Sequence, residues 1–193
     1  MKKFLTTLAV ALILVVSVSS AKGGIGFQKD NLYVGPTVGY TGFFADGTLG
    51  FGAHGEYGLM DKVKIGSFDG AIGLGAEVNY ASLDIPYYSG KWSYSLLSIR
   101  VFAAYHFMAK KEFDPYVRLG LGYDKISSEF SWNDGSKDNY NWSAGYASGL
   151  GFSGDAGFNY HFSDAMSLRV CVGWPFLLSA GLDFNLGNMG WQK

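Results

Sequence analysis

Apolar and polar residues alternate with a period of two along much of the chain. In residues 97–107 every odd-numbered position is apolar, whereas Ser98, Arg100 and His106 lie on the other face. Residues 117–123 alternate in the same way. Successive side chains of a β-strand point to opposite sides, so the pattern predicts strands with one apolar and one polar face.

The same alternation recurs in six further segments, which gives eight strands in all. Most are close to the roughly nine to eleven residues that a tilted strand needs to cross a membrane. The pattern therefore predicts an all-β fold, a transmembrane antiparallel up-and-down β-barrel of eight strands. The predicted strands are residues 32–40, 49–59, 72–80, 97–107, 117–123, 150–162, 168–174 and 178–186.

The connections predict how the barrel is oriented. Residues 109–114 and 163–165 are short, whereas residues 82–92 and 127–147 are longer and more polar. Outer-membrane barrels have short periplasmic turns and long extracellular loops. Residues 60–70 are too long for a periplasmic turn unless Val63 or Ile65 extends a strand.

The polar face indicates which side of the strands faces the interior. It consists mostly of Gly, Ser and Asn, and the mature chain keeps its lysines in turns, loops, strand ends or termini. An eight-stranded barrel is only wide enough to be filled by side chains. We therefore expect the ionisable residues to form a hydrogen-bonded, ion-paired plug rather than a conducting pathway, since buried unpaired charges are very costly. The predicted polar network of the lumen comprises Glu56, Glu77, Arg100, Arg118, Asp124, Asp155, Arg169 and Asp183, with His54, His106 and His161 on the same face.

The N-terminus predicts export. Lys2 and Lys3 form a basic region, residues 8–18 an apolar region, and residues 19–21 a small-residue cleavage site. This is the pattern of a cleaved secretory signal, and the apolar run is too short for a spanning helix. We therefore predict a signal peptide at residues 1–21 and one barrel domain at residues 22–193.

The composition indicates which classes of protein, partner and metal site the chain does not fit. The chain holds 28 glycines, 15 phenylalanines, 13 tyrosines and 5 tryptophans but only 16% charged residues. This mixture is unusual for a soluble domain, and the mildly acidic balance suggests no nucleic-acid partner. Cys171 is the single cysteine, which excludes an internal disulfide and a cysteine-cluster metal site. We predict no cofactor.

Two motifs carry a resemblance to a known family. Tyr105-His-Phe107 followed by Asp114-Pro-Tyr-Val-Arg-Leu-Gly-Leu-Gly-Tyr123 resembles a strand, a short turn and a "PYVGxGxGY" strand, with Arg118 in place of a frequent glycine. Residues 159–169 resemble the next periplasmic hairpin. The chain is thus similar to the small outer-membrane β-barrels, which include the OmpA transmembrane domain, OmpX, Ail and Opa-type proteins, with OmpW as a neighbour.

The resemblance implies partners and a location. Residues 179–186 are similar to the signal that the barrel-assembly machinery reads, with Gly181 followed by Phe184 and Leu186. This chain departs from the family pattern at the C-terminal end. Family members often end on an aromatic residue, whereas residues 187–193 continue beyond the corresponding position. The resemblance implies a monomer in the outer membrane, in contact with lipid and lipopolysaccharide.

The chemistry of the chain does not predict an enzyme. A lipid hydrolase needs its nucleophile and base at the lipid-facing surface, whereas the alternation places all three histidines in the lumen. The longest loop, residues 127–147, is the better candidate for function. It is either a protruding hairpin with aromatics packed across its strands or a recognition loop for a host, lipopolysaccharide or another surface. The candidate recognition residues are Phe130, Trp132, Tyr140 and Trp142.

The leading hypothesis is a non-enzymatic outer-membrane protein with a structural or surface-interaction role. One alternative is an OmpW-like conduit for small apolar solutes. The other is a secreted, soluble, lipocalin-like ligand binder, in which the apolar face would point inward.

Overall fold

The computed structural model describes residues 26–42, 47–107, 112–140 and 148–188. Within these ranges, no helix has the length and apolarity needed to cross a membrane. The described residues form nine β-strands, all paired antiparallel. The strands are β1 (Asn31–Thr41), β2 (Thr48–Ile65), β3 (Phe68–Tyr87), β4 (Gly90–Phe107), β5 (Phe113–Trp132), β6 (Lys137–Tyr140), β7 (Gly149–Ser163), β8 (Met166–Gly173) and β9 (Leu178–Asn188).

Eight of these strands close into a ring. From β1 to β5 each strand pairs with the next, β5 then pairs with β7, and β7 leads through β8 to β9. The ring is completed where β1 pairs with β9, for example Val34 with Phe184. The short strand β6 lies outside the ring and, among the described strands, pairs with the end of β5 alone. The predicted eight-stranded up-and-down barrel is confirmed.

The two sides of the ring have opposite polarity. On β5, Leu119 exposes 75% of its surface on the outside, whereas the neighbouring Arg118 exposes 4% and points into the lumen. Phe152 on β7 is 88% exposed. A water-soluble barrel would bury such side chains, so this arrangement contradicts the soluble-binder alternative and fits lipid around the ring.

Three predicted connections are more ordered than expected. Residues 82–92 are mainly strand, because β3 and β4 continue to a two-residue turn at Tyr88 and Ser89. The 60–70 connection is a strand extension of β2 and β3 around Gly66 and Ser67, which includes Val63 and Ile65. In the 127–147 loop, β5 runs on to Trp132 and β6 follows, while residues 141–147 lie outside the described part.

The alternation changes phase where β3, β4 and β5 rise above the barrel. On β4 the outward-facing apolar series begins at Leu97, yet the apolar residue just before it, Leu96, is buried on the lumen side. Beyond this point the lumen side of β4 carries Trp92 and Tyr94, and the outer side carries Lys91. Apolar residues thus leave the outer surface where the strands pass from lipid into water.

The lipid-facing register can be tested at Leu119, midway along β5 between the outward-facing Phe113 and Tyr123. We expect Leu119→Arg to lower the free energy of unfolding by about 2 to 4 kcal/mol, because it places a charge at the bilayer midplane. Tyr88→Arg, in the fully exposed turn between β3 and β4, should be nearly neutral. Urea unfolding in lipid vesicles measures both, and equal stability of the two variants would contradict the register.

Candidate functional site: the lumen and the extracellular sheet

Arg100 and Arg118 form the ion pairs in the part of the lumen nearer the predicted extracellular end. The Arg100 guanidinium is almost fully buried, and its Nη2 donates to both carboxylate oxygens of Asp124 at 2.7 and 2.6 Å. Its Nε donates to the Ser98 hydroxyl at 2.7 Å. Arg118 donates from Nε to Asp155 Oδ1 at 2.7 Å, and its Nη2 lies 3.6 Å from Glu77 Oε2. Each buried cation therefore has at least one carboxylate as its partner.

A third arginine reaches past β9, the strand next to its own, to the two strands beyond it. Arg169 Nη2 on β8 donates to Thr37 Oγ1 on β1 at 2.5 Å, and lies 2.7 Å from His54 Nδ1 on β2. Because an arginine can only donate, the His54 Nδ1 accepts and its Nε2 carries the ring proton. That Nε2 lies 3.4 Å from Asp183 Oδ1, which is also 3.4 Å from Arg169 Nε. These contacts tie four strands together.

The periplasmic part of the lumen centres on a histidine between two acids. His106 Nδ1 lies 2.7 Å from Asp114 Oδ2, and its Nε2 lies 2.8 Å from Glu56 Oε1. A doubly protonated ring satisfies both carboxylates, since each ring nitrogen can then donate. Asn159 also donates to Asp114 Oδ2, and His161 Nε2 is 3.8 Å away.

The chain before β1 folds into this end of the barrel. Phe27 is buried, and its ring stacks on the His106 ring with a centroid distance of 3.7 Å and an interplanar angle of 4°. The Tyr33 hydroxyl accepts from the Gln28 backbone at 2.9 Å and lies 3.2 Å from the Gly26 carbonyl. Phe27 thus caps the charged cluster from the periplasmic side. The alternation carried no signal for this segment, because it precedes the first strand.

The opposite end of the lumen is capped by the connection between β8 and β9. The alternation of the predicted strand at residues 168–174 places Trp174 on the apolar, lipid-facing side, and this prediction is wrong: its Nε1 donates to Asp124 Oδ2 at 3.2 Å, and Arg100 lies 5.9 Å from its ring centroid. Phe176 is buried against β1 and β2, where a Cβ at Gly39 or Gly50 would collide with its ring. The chain turns inward after β8, so the alternation no longer applies.

A small cavity remains in the described part of the lumen. A cavity of about 10 Å³ lies near the extracellular cap, among Glu77, Arg118, Arg169, Cys171 and Phe176. Such a volume accommodates about one water molecule. Within the described ranges, no group of three His, Cys, Asp or Glu side chains is arranged to hold a metal ion.

The eight predicted lumen residues all point into the barrel, and seven of them fall into three arginine-centred groups. These groups are Arg100 with Asp124, Arg118 with Asp155 and Glu77, and Arg169 with Asp183, while Glu56 joins the histidine cluster. Thr37 and Asn159 were missed, although both lie on the polar face of a predicted strand. The alternation indicated their side of the wall but not their partners.

The strands above the barrel form a four-stranded sheet, which we call the extracellular sheet after the orientation that the connections predict: residues 81–87 of β3, 90–96 of β4, 126–132 of β5, and β6. On its lumen side Phe130 is buried, 5.1 Å from the Trp92 ring centroid and 4.8 Å from that of Trp132. Trp132 is 42% exposed, and its Nε1 donates to Asp138 on β6 at 2.8 Å.

The four candidate recognition residues therefore differ in position. Phe130 packs inside an aromatic cluster, whereas Trp132 lies at its accessible edge. Tyr140 ends β6, where its backbone pairs with Ser128. Trp142 lies outside the described residues.

Paired charges cover the outer side of the extracellular sheet. Lys91 donates to Asp84 at 2.8 Å, and Lys137 donates to Glu129 at 2.8 Å. Each hydrogen bond lowers the pKa of its carboxyl. In the turn between β5 and β6, hydrogen bonds from the Ser136 hydroxyl and backbone lower the pKa of Asp134. Charged, hydrated groups suit a surface that stands in water.

A family model of outer-membrane barrels matches most of the chain. The family model described as "Outer membrane protein beta-barrel domain" matches residues 8–173. Among solved structures, the chain is similar to one from the de novo design of transmembrane β-barrels, with 18% identity, a TM-score of 0.47, and 82% of this chain and 98% of that chain covered.

A second similar structure is Ail, the attachment invasion locus protein of Yersinia pestis, with 10% identity and a TM-score of 0.45, covering 82% of this chain and 96% of that one. Ail in complex with the heparin analogue sucrose octasulfate is similar at 10% identity and a TM-score of 0.46, with 80% and 93% covered. Among curated proteins, no significant match was found.

The ion-paired lumen can be tested at Arg118. We expect Arg118→Met to lower the free energy of unfolding by about 3 to 5 kcal/mol, because it leaves the carboxylates of Asp155 and Glu77 buried without their cation. Adding Asp155→Asn and Glu77→Gln to the same chain should recover much of this loss. Urea unfolding measures both steps. If the triple variant were no more stable than Arg118→Met, loss of packing rather than unpaired charge would explain the effect.

Proposed function

The chain belongs to the outer membrane protein β-barrel domain family, and from this premise we propose that it is a non-enzymatic integral outer-membrane protein. Its lumen is closed, and its extracellular sheet is an interaction surface. One observation carries the proposal: four strands form a sheet above a plugged barrel, and neither edge of this sheet pairs with a further strand among the described residues.

Export and assembly follow the family pattern. The signal at residues 1–21 is removed, and residues 22–193 enter the outer membrane as one barrel domain. The barrel-assembly machinery recognises residues 179–186, which form most of β9. A monomer is consistent with the ring, because closure leaves no strand edge free within the lipid belt. Membrane lipid and lipopolysaccharide then surround the exposed apolar side chains.

The closed lumen argues against the conduit alternative. Phe27 caps one end and Phe176 the other, with three arginine-centred groups between them. A solute would have to displace both caps and separate buried ion pairs, each of which is costly to break. The same contacts argue against a catalytic lumen, because the buried acids form ion pairs with the arginines and histidines rather than facing a substrate cavity.

The extracellular sheet extends far enough above the barrel, and has accessible strand edges, to act as a recognition surface. Seven residues of β4, 90–96, lie above the phase change, which corresponds to roughly 23 Å of extended strand. Residues 83–87 of β3 pair with β4 alone, and β6 pairs with β5 alone among the described strands. An unpaired edge can accept a strand from a partner through backbone hydrogen bonds. Trp132 adds an accessible aromatic beside the β6 edge.

The closed lumen predicts an electrically silent protein. In planar bilayers, protein purified from outer membranes should give no stable conductance steps, because the capped and ion-paired interior leaves no continuous water path. A general porin in the same bilayer serves as the positive control. Regular conductance steps, together with solute uptake into liposomes, would contradict the closed lumen and favour a conduit.

The interaction surface predicts a separable binding function. Deleting residues 131–139 removes the β5–β6 turn and most of β6 while leaving the ring of eight strands. We expect the deleted protein to keep its heat-modifiable migration in gels but to lose binding to immobilised lipopolysaccharide or to cultured epithelial cells.

Ser67→Ala, in the turn between β2 and β3, is the matched control and should bind as the unmodified protein does. Binding retained by the deletion variant would contradict the role of this sheet, as would absence of binding by the unmodified protein to both probes. Loss of the heat-modifiable form would contradict an exposed sheet that is dispensable for folding.

A further inference from the structure

At the periplasmic end, β2 and β3 extend beyond the adjacent strands and form a hairpin, residues 59–69. The register between the two strands shifts between Gly58 and Met60 and again between Met60 and Val63. Lys62, between the second pair, has a φ of 55°, which is uncommon for a residue other than glycine. Bulges of this kind bend a strand and increase its twist, so the hairpin departs from the line of the barrel wall.

Tyr105 fixes the direction of this bend. It lies on the outer side of β4, where the alternation of residues 97–107 places it on the apolar face, yet only 8% of its surface is exposed. Its ring lies over Gly70, where a Cβ would collide with it. Its hydroxyl lies 3.2 Å from the Val63 carbonyl and 3.0 Å from the Phe68 carbonyl, so one proton is shared between the two strands. The hairpin is thus held against the outside of the barrel.

The hairpin has an apolar and a polar side. Met60 pairs with Ile72 and Ile65 pairs with Phe68, and alternation along β3 places Phe68 on the same side as Ile72. Met60, Ile65 and Phe68 are all exposed. The opposite side carries Lys64 and Asp69, whose charged groups are 3.5 Å apart and exposed to solvent.

The apolar side is continuous with the lipid-facing surface. The Phe68 ring makes an edge-on contact with Phe107, with a centroid distance of 5.8 Å, and Phe107 also contacts Tyr105. Ile72 and Leu74 continue the same outward row along β3 into the lipid belt. An amphipathic element that extends a lipid-facing surface in this way suits the boundary between headgroups and acyl chains.

We propose that the hairpin of residues 59–69 inserts its apolar side into the periplasmic leaflet of the outer membrane. The apolar side of the hairpin thus contacts the phospholipid interface. Tyr105 acts as a clamp: its hydrogen bonds hold the hairpin against the outside of the barrel, in the position where it meets the lipid. The hairpin contains two lysines and two aspartates, so burial of apolar surface rather than attraction to anionic lipid drives the contact.

Site-specific quenching in reconstituted vesicles tests the insertion. A bimane label is attached at Ile65→Cys, and the lipids carry bromine either near the headgroup or near the chain ends. The unmodified protein reports any background labelling of the buried Cys171. We expect strong quenching of the Ile65 label by bromine near the headgroup and weak quenching by bromine near the chain ends.

Three further sites calibrate the measurement. A label at Phe152→Cys, on the lipid belt, should be quenched by the deep bromine, and one at Tyr88→Cys, in the extracellular turn, by neither. The label at Lys64→Cys, on the opposite side of the same hairpin, should resemble that at Tyr88. If the Ile65 label were no more quenched than the Tyr88 label, the hairpin would lie in water, and the proposal would be overturned.

The clamp is tested by removing one hydroxyl. Tyr105→Phe keeps the ring but loses the hydrogen bonds to Val63 and Phe68, so most of the quenching of the Ile65 label should be lost. Tyr160→Phe, a matched change elsewhere on the periplasmic outer surface, should leave it unchanged. Undiminished quenching in Tyr105→Phe would overturn the role of Tyr105.

Discussion

The constraint on which this structure depends is that lipid offers no partner to a backbone N–H or C=O group. Each unsatisfied group in the hydrocarbon region costs several kcal/mol, so strands can cross only as a closed ring. The pairing of β1 with β9, from Val34 with Phe184 to Tyr40 with Leu178, supplies that closure. Once the backbone is satisfied within the wall, side chains alone meet lipid on one side and each other on the other side.

Closure also determines the chemistry of the interior. A ring of eight strands is narrow, so every inward polar group must find its partner among the other inward groups. Arg100, Arg118 and Arg169 each contact a carboxylate from another strand, and His106 bridges two acids. The charges that would signal catalysis in an open cleft are thus a consequence of the architecture. Specific function is then expected where the chain leaves the ring.

A period of two was sufficient to predict eight strands and the side of the wall on which Leu119 and Arg118 lie. It failed at Leu96 and Leu97, because two adjacent apolar residues mark a change of surroundings rather than the end of a strand. The sequence therefore predicts a polar loop at residues 82–92, where the structure has strands. The inward turn at Trp174 was missed for another reason: it depends on contacts with Asp124 and with distant glycines, which a local pattern does not record.

Strands extend beyond the ring in two places, the extracellular sheet and the hairpin of residues 59–69. The phase of the apolar alternation distinguishes the two. In the extracellular sheet the apolar side has moved to the lumen side, with Trp92 facing inward and Lys91 outward, as expected for an extension surrounded by water. In the periplasmic hairpin the apolar side keeps the phase of the lipid belt, with Ile65 and Phe68 in line with Ile72. Strand length alone makes these extensions look equivalent. Their phase relative to the belt assigns one to water and the other to the membrane surface.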